Sequence, residues 1–119
     1  MISRLNRFHG HGSLRYVYQH GETVRGPLCS LKYVRNERRK NWRLAVVVSK
    51  KVHKSAVRRN RIRRRLYEAM RLMAVDIPAY DMVLTVFHEQ VADLPSEEVT
   101  AIVRAQLKQA GITKSTAKH

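Results

Sequence analysis

Residues 50–71 read K-K-V-H-K-S-A-V-R-R-N-R-I-R-R-R-L-Y-E-A-M-R. Arginine fills six of the eight positions from Arg58 to Arg65, and no acid appears before Glu68. A block of like charge this dense ordinarily stays unfolded. Here an apolar series runs through it and beyond it: Ile62, Leu66, Ala69, Met70 and Met73. Their offsets fall on one face of a helix with 3.6 residues per turn. Ser55 stands where a hydroxyl can accept from an orphan amide of the first turn. Ser55–Met73 is therefore predicted to be a helix with one buried face and a guanidinium-covered outer face. On its wheel Asn60, Arg64, Tyr67 and Arg71 point away from the buried stripe, and Arg61 and Arg63 lie on opposite flanks. Arg58 and Arg59 fall toward the apolar side, so the first turn is expected to be irregular or to project beyond the core.

The charge outside this stretch is lopsided. Of the 119 residues, 1–65 hold 19 Lys and Arg against Glu22 and Glu37, a balance of +17. Residues 66–119 hold five basic groups against seven acidic ones, a balance of −2, and the two halves sum to the net +15. Such an electrostatic face calls for a polyanion as partner. A membrane is the competing polyanion, but no basic amphipathic segment carries the apolar face of an interfacial helix. No apolar run approaches the ~20 residues of a membrane span, and the N-terminus lacks a secretory core. Cys29 is the one cysteine, which fits a reduced, cytoplasmic setting and a buried thiol.

In chain order, residues 1–12 form a basic arm in which His9 and His11 make a poor metal site, lacking a nearby cysteine or carboxylate. Ser13–His20 is a short helix, capped by Ser13 and stopped by Gly21. Tyr18 there belongs either to the core or to a groove where its ring can stack on an unpaired base. A short strand at Thr23–Arg25 and a turn at Gly26-Pro27 precede an alternating strand to Val34. Its Ser30, Lys32 and Val34 face is mixed, as where a sheet borders a groove. Arg35–Arg43 reads as a basic hairpin loop. Trp42–Ser49 reads as a central strand covered on both faces, delivering Ser49, Lys50 and Lys51 to the arginine helix. Tyr80–Phe87 is a second apolar strand, which the arginine helix could place parallel to the first. His88–Leu94 is a loop, Ser96 caps the last helix, and Val99, Ile102, Val103, Leu107 and Ala110 form its stripe up to Gly111. Residues 112–119 form a polar tail. The fold class is α+β: a single-domain sandwich over residues 1–119, with flexible ends and a small mixed sheet carrying three helices in the order α-β-β-β-α-β-α.

A protein active site is hard to assemble from these residues. There is no CxxC, no phosphate loop, and too few acids for a two-metal nuclease. Asp76, Asp81, Asp93, Glu97 and Glu98 read as turn and cap residues. His53 sits between lysines, with no carboxylate placed to orient it as a base.

The run S-K-K-V-H-K-S-A-V-R-R-N-R-I-R-R-R-L-Y-E over Ser49–Glu68 closely resembles the signature of the bacterial ribonuclease P protein component. The likeness extends more weakly through Ser13–Val34 and Tyr80–Phe87. It implies a ribosomal-protein-like α+β fold with a left-handed βαβ crossover. It also implies a role as accessory subunit of an endoribonuclease whose RNA holds Mg²⁺ and removes the 5′ leader of precursor tRNA. The protein itself would then bind no metal, membrane or small-molecule ligand. Lys50, Lys51, Lys54, Arg58, Arg59, Asn60, Arg61, Arg63, Arg64 and Arg65 become the expected contacts to the catalytic RNA. Leu14, Tyr18, Lys32 and Ser49 become the expected leader groove. Two departures stand out. Leu14 replaces a frequent phenylalanine, so apolar contact replaces stacking there, and Tyr67 replaces a frequent arginine. The rival reading is a ribosome-associated structural protein, distinguished by the RNA that co-purifies. A free-standing nuclease is a further rival, which the sparse carboxylates argue against.

Overall fold

The computed structural model describes residues 11–36, 41–73 and 77–112. The elements are α1 (His11–His20), β1 (Glu22–Arg25), β2 (Cys29–Arg35), β3 (Arg43–Val47), α2 (Ala56–Leu72), β4 (Tyr80–Val86), a short 3-10 turn (Glu89–Ala92) and α3 (Ser96–Ala110). The basic arm before His11, the middle of the β2–β3 connection and the tail beyond Ile112 lie outside the described residues.

The arginine helix forms where its apolar spacing put it. Ser55, extended at φ −75° and ψ 124°, caps it by accepting the Arg58 amide at 3.3 Å. Ile62, Leu66, Ala69, Met70 and Met73 are all buried. They pack against Leu44, Val46, Met82 and Leu84 of the sheet and Val99, Val103 and Leu107 of α3 in one continuous core. Burial of this stripe, at roughly 25 cal/mol per Å² of apolar surface, holds a segment whose charge alone would keep it unfolded. α3 stops at Gly111, which takes the left-handed φ of 80° that terminates helices.

The sheet runs β1-β2-β4-β3. β1/β2 and β2/β4 are antiparallel, whereas β3/β4 is parallel and is bridged by α2. This order revises three sequence expectations. The β-branched density of residues 42–49 pointed to a central strand, but β4 is central and β3 is an edge. β3 is nevertheless covered on both faces, Leu44 and Val46 by the main core and Ala45 by α1. The edge is tolerable because α2 lies beside it: the Val46 amide donates to the Tyr67 hydroxyl at 3.3 Å, and Arg63 Nη2 donates to the Val48 carbonyl at 3.4 Å. The Arg35–Arg43 connection is not a hairpin, since β4 separates the strands it joins. Asp81, expected in a turn, is buried in β4, where it accepts two hydrogen bonds from Arg43 at 2.9 and 2.8 Å and one from Asn36 at 2.8 Å.

Two caps also differ from expectation. α1 begins at His11, which places Ser13 inside it, and α3 is capped by Pro95 with no side-chain bond, which makes Ser96 its first residue. Ile112, assigned to a polar tail, is buried. The α3 stripe includes Gln106, a polar residue that periodicity had passed over. Its Nε2 donates to the carbonyls of Cys29 at 2.9 Å and Val24 at 3.3 Å, while its Oε1 accepts from Cys29 Sγ at 3.0 Å. A buried amide so satisfied pins α3 to the β1–β2 turn.

Burial pushes the Cys29 thiol up to about 11. The thiolate is the reactive species, so the native protein is expected to resist a disulfide exchange reagent at pH 8 and to react fully in denaturant. Rapid native modification would show that the β1–β2 turn opens freely.

Candidate nucleic-acid interface

The two faces of the sheet have different covers. On one, α2 and α3 close over the main core. On the other, α1 covers only part, with Val17 packed on Ala45 and Val83 beside Leu14, Val34 and Val47. Strand register places Thr23, Arg25, Ser30, Lys32, Val47 and Thr85 on this α1 face. Ser30, Lys32, Val47 and Thr85 remain only half-buried there. The result is an open trough floored by sheet and walled by α1. Leu14 is half-buried at its wall, whereas Tyr18 is 47% exposed, a surface ring. Lys32 is tethered, its Nζ donating to Thr23 Oγ1 at 3.3 Å. Ser49 is exposed just past the end of β3. The structure thus brings Leu14, Tyr18 and Lys32 to one face. It adds a pair that sequence reading missed: the Arg25 guanidinium lies over the Phe87 ring at 4.5 Å. Phe87 continues the alternation of Thr85, but Arg25 is brought to it only by the strand register.

The arginines of α2 divide into two populations. Arg58, Arg61 and Arg65, three and four residues apart, line the flank facing the 3-10 turn. Arg58 forms a two-pronged ion pair with Asp93, at 3.2 and 2.9 Å, and lies 3.7 Å from Glu89. Arg61 Nε donates to the Ala92 carbonyl at 2.8 Å. Arg65 donates to the Val91 carbonyl at 2.7 Å and also to the Leu94 carbonyl. These bonds explain the first turn of α2: Arg58 lies toward the core side because it reaches across to the 3-10 turn. The Arg58 side chain also holds the Asp93 carboxyl below its usual range, so Asp93 is an ion-pair partner and not merely a cap. Burial, and then the neighbouring Arg61, make the Arg65 guanidinium a weaker base than usual.

The second population faces outward. Among the described residues, the side chains of Lys50, Lys51, Lys54 and Arg64 have no hydrogen-bond or ion-pair partner, and all four residues are exposed. Arg59 is intermediate, bracing the entry turn through the carbonyls of His53 at 3.0 Å and Lys54 at 2.8 Å. Asn60 is exposed and accepts from Arg63 at 2.6 Å. Tyr67 departs from its wheel position. It is half-buried, with its hydroxyl turned to the β3 edge, because an edge amide needs an acceptor more than solvent needs a phenol.

His53 also departs from expectation. Its Nε2 lies 3.5 Å from Glu89 Oε1, and its Nδ1 accepts the Ser55 amide at 3.0 Å. A carboxylate does face it, in a contact that fastens the β3–α2 link to the 3-10 turn. Among the described residues no group of three or more His, Cys, Asp or Glu is placed to hold a metal ion, and no helix is long and apolar enough to cross a membrane.

Known proteins share the chain's sequence pattern and its fold. A family model described as Ribonuclease P matches residues 2–111. The ribonuclease P protein component of Chloroflexus aurantiacus is 41% identical over 97 residues, covering 81% of this chain and 70% of that protein. That of Synechococcus elongatus is 37% identical over 89 residues, covering 71% of this chain and 73% of its own length. In fold, the chain is similar to the ribonuclease P protein of Staphylococcus aureus, with a TM-score of 0.80 at 23% identity over 91% of this chain and 97% of the other. It is also similar to that of Thermotoga maritima, with a TM-score of 0.72 at 21% identity over 81% and 89%.

Proposed function

The chain belongs to the ribonuclease P protein family, and on that footing we propose how its two faces divide the work of the holoenzyme. Members of the family are accessory protein subunits of a ribonucleoprotein endonuclease that matures tRNA 5′ ends. The outward cations of the α2 entrance, Lys50, Lys51, Lys54 and Arg64, engage phosphates of the catalytic RNA. Arg59, Asn60 and Arg63 extend that surface. The trough beside α1 holds the single-stranded 5′ leader of precursor tRNA, with Tyr18 stacking on a base, Lys32 near phosphate, and Leu14 and Ser49 at its margins.

The observation that supports this division most directly is the sorting of the arginine helix. One flank is spent on the protein's own 3-10 turn, and the outer side is left exposed. Phosphates repel one another, so RNA is a poor receptor for RNA. A cationic surface touching both strands lowers that repulsion, and so lowers the Mg²⁺ needed. Mg²⁺ held by the RNA supplies the hydrolytic chemistry; this chain's residues bind, orient and screen. Among them, Arg58, Arg61 and Arg65 act first as braces that keep α2 rigid against the 3-10 turn.

Reconstitution with ribonuclease P RNA tests the reading. Leader removal at low Mg²⁺ is expected to require the protein, and the RNA-free protein is expected to cleave nothing. Tyr18→Ala is expected to leave assembly intact and to weaken precursor tRNA by about tenfold, in keeping with one lost stacked base, while mature tRNA is unaffected. Equal weakening of both tRNAs would sink the leader trough.

A further inference from the structure

The outer face of α2 carries more than charge. Val57, Arg61, Arg64, Glu68 and Leu72 follow one another three or four residues apart, so they form one stripe along the helix. Its two ends are apolar and bare, with Val57 75% exposed and Leu72 62% exposed. Beside the stripe runs a cleft of about 580 Å³, to which the first turns of α3 contribute Ser96, Val99 and Thr100. That volume lies within the ~300–1,000 Å³ typical of small-ligand sites. Ala69, Leu72 and Val99 give the cleft an apolar lining, and Arg61 and Arg64 give it a cationic rim. Glu68, the one carboxylate among its described lining residues, is ion-paired to Arg71. The cleft lies on the opposite side of the sheet from α1, so it is separate from the leader trough.

This combination narrows the occupant. A bare phosphate has no use for the apolar lining, and a hydrocarbon has no use for the guanidiniums. A nucleotide uses both, and its base edge can also meet Asn60 and the hydroxyls of Ser96 and Thr100. We propose that the α2–α3 cleft receives one unpaired nucleotide projecting from the folded catalytic RNA, its base against the exposed Leu72 and its phosphate on Arg64. The proposal rests on the reading that the arginine helix faces that RNA, and it adds shape recognition to what would otherwise be charge alone. A base contact of this kind is non-ionic, whereas the phosphate contacts release counterions.

The test fills the cleft without touching a guanidinium. Thr100→Trp is expected to weaken binding of ribonuclease P RNA by about tenfold, within the range for loss of one stacked base, with an unchanged salt slope and thermal melt. Arg64→Ala, by contrast, is expected to make the slope shallower by roughly 0.7–0.9. Independently, a benzophenone side chain placed at Leu72 is expected to cross-link the RNA at a single unpaired nucleotide. Unaltered affinity of a folded Thr100→Trp protein overturns the proposal. So does cross-linking to paired RNA, to precursor tRNA, to a second copy of the chain or to an acidic protein. If the wild-type protein binds no ribonuclease P RNA, the family-based reading falls and the cleft proposal with it. If wild type binds and only the filled cleft is silent, the cleft proposal alone falls.

Discussion

Removing Lys50, Lys54 and Arg64 together is expected to weaken binding to ribonuclease P RNA by about two orders of magnitude at moderate salt. Their surroundings set this magnitude. All three are exposed, and among the described residues none of their charged groups has an intramolecular partner to give up. Each contact with phosphate then contributes up to about 1 kcal/mol, the upper range for exposed ion pairs, and three compound to roughly 100-fold. The log–log salt dependence should become shallower by about 2–3, since each neutralised phosphate contributes roughly 0.7–0.9 to the slope. Arg58→Ala makes the instructive comparison, because its guanidinium is already committed to Asp93 and Glu89. It should change RNA affinity much less, and should instead loosen the 3-10 turn, raising amide exchange over residues 89–94. Filter binding of the triple variant and of Arg58→Ala at several salt concentrations decides the matter. Equal losses for the two proteins would mean that partnered and unpartnered cations are alike to the RNA, and the sorting of the helix would have no functional meaning.

That sorting shows where sequence reading stops. The helix itself was legible, because Ile62, Leu66, Ala69, Met70 and Met73 impose a 3.6-residue period whatever lies between them. So were the parallel β3–β4 pair and the termination at Gly111. The division of labour among the arginines was not legible. It depends on carbonyls of residues 91–94, some 30 positions away in the chain, and a donor on a wheel carries no record of which acceptor will meet it. Position in the sheet was hidden for a related reason. Val46 and Val48 look like central-strand residues because they are buried, yet β3 is buried by a helix side chain at its edge and not by a further strand. Polar residues in the core were missed because periodicity counts apolar ones: Gln106 and Asp81 are buried through hydrogen bonds that only the tertiary structure supplies. Of the proposed leader trough, Leu14, Tyr18 and Lys32 were indicated by family likeness. Arg25 and Phe87 needed the strand register, which brings the ends of β1 and β4 to the same face.

Gly21→Ala is the change expected to separate the two faces of the protein. Gly21 has no need of a left-handed backbone; among the described residues only Gly111 has a positive φ. What Gly21 needs is space. An added Cβ would sit 2.6 Å from the Val17 carbonyl oxygen and 2.8 Å from that of Tyr33, with the Tyr33 carbonyl carbon at 3.2 Å. All three neighbours are backbone, one from the last turn of α1 and two from β2, so no side chain can rotate aside. The same junction is tied by the Gly21 amide donating to Val17 at 2.8 Å. Relief therefore requires α1 to move off the sheet, at a cost of about 3 kcal/mol, the upper end of the usual overpacking range. Because Val17 carries the small core beneath α1, the trough should lose its wall while the main core under α2 persists. The expected outcome is a protein with a lower melting temperature that still assembles with the RNA, within about threefold of wild type at low temperature, yet no longer favours precursor over mature tRNA. Gly111→Ala is the matched control, since its Cβ meets nothing within 4 Å and the strain there is confined to the end of α3. If Gly21→Ala instead abolished RNA assembly as fully as it abolished precursor preference, α1 and α2 would be acting as one surface, and the division of the molecule into a leader face and an RNA face would have to be given up.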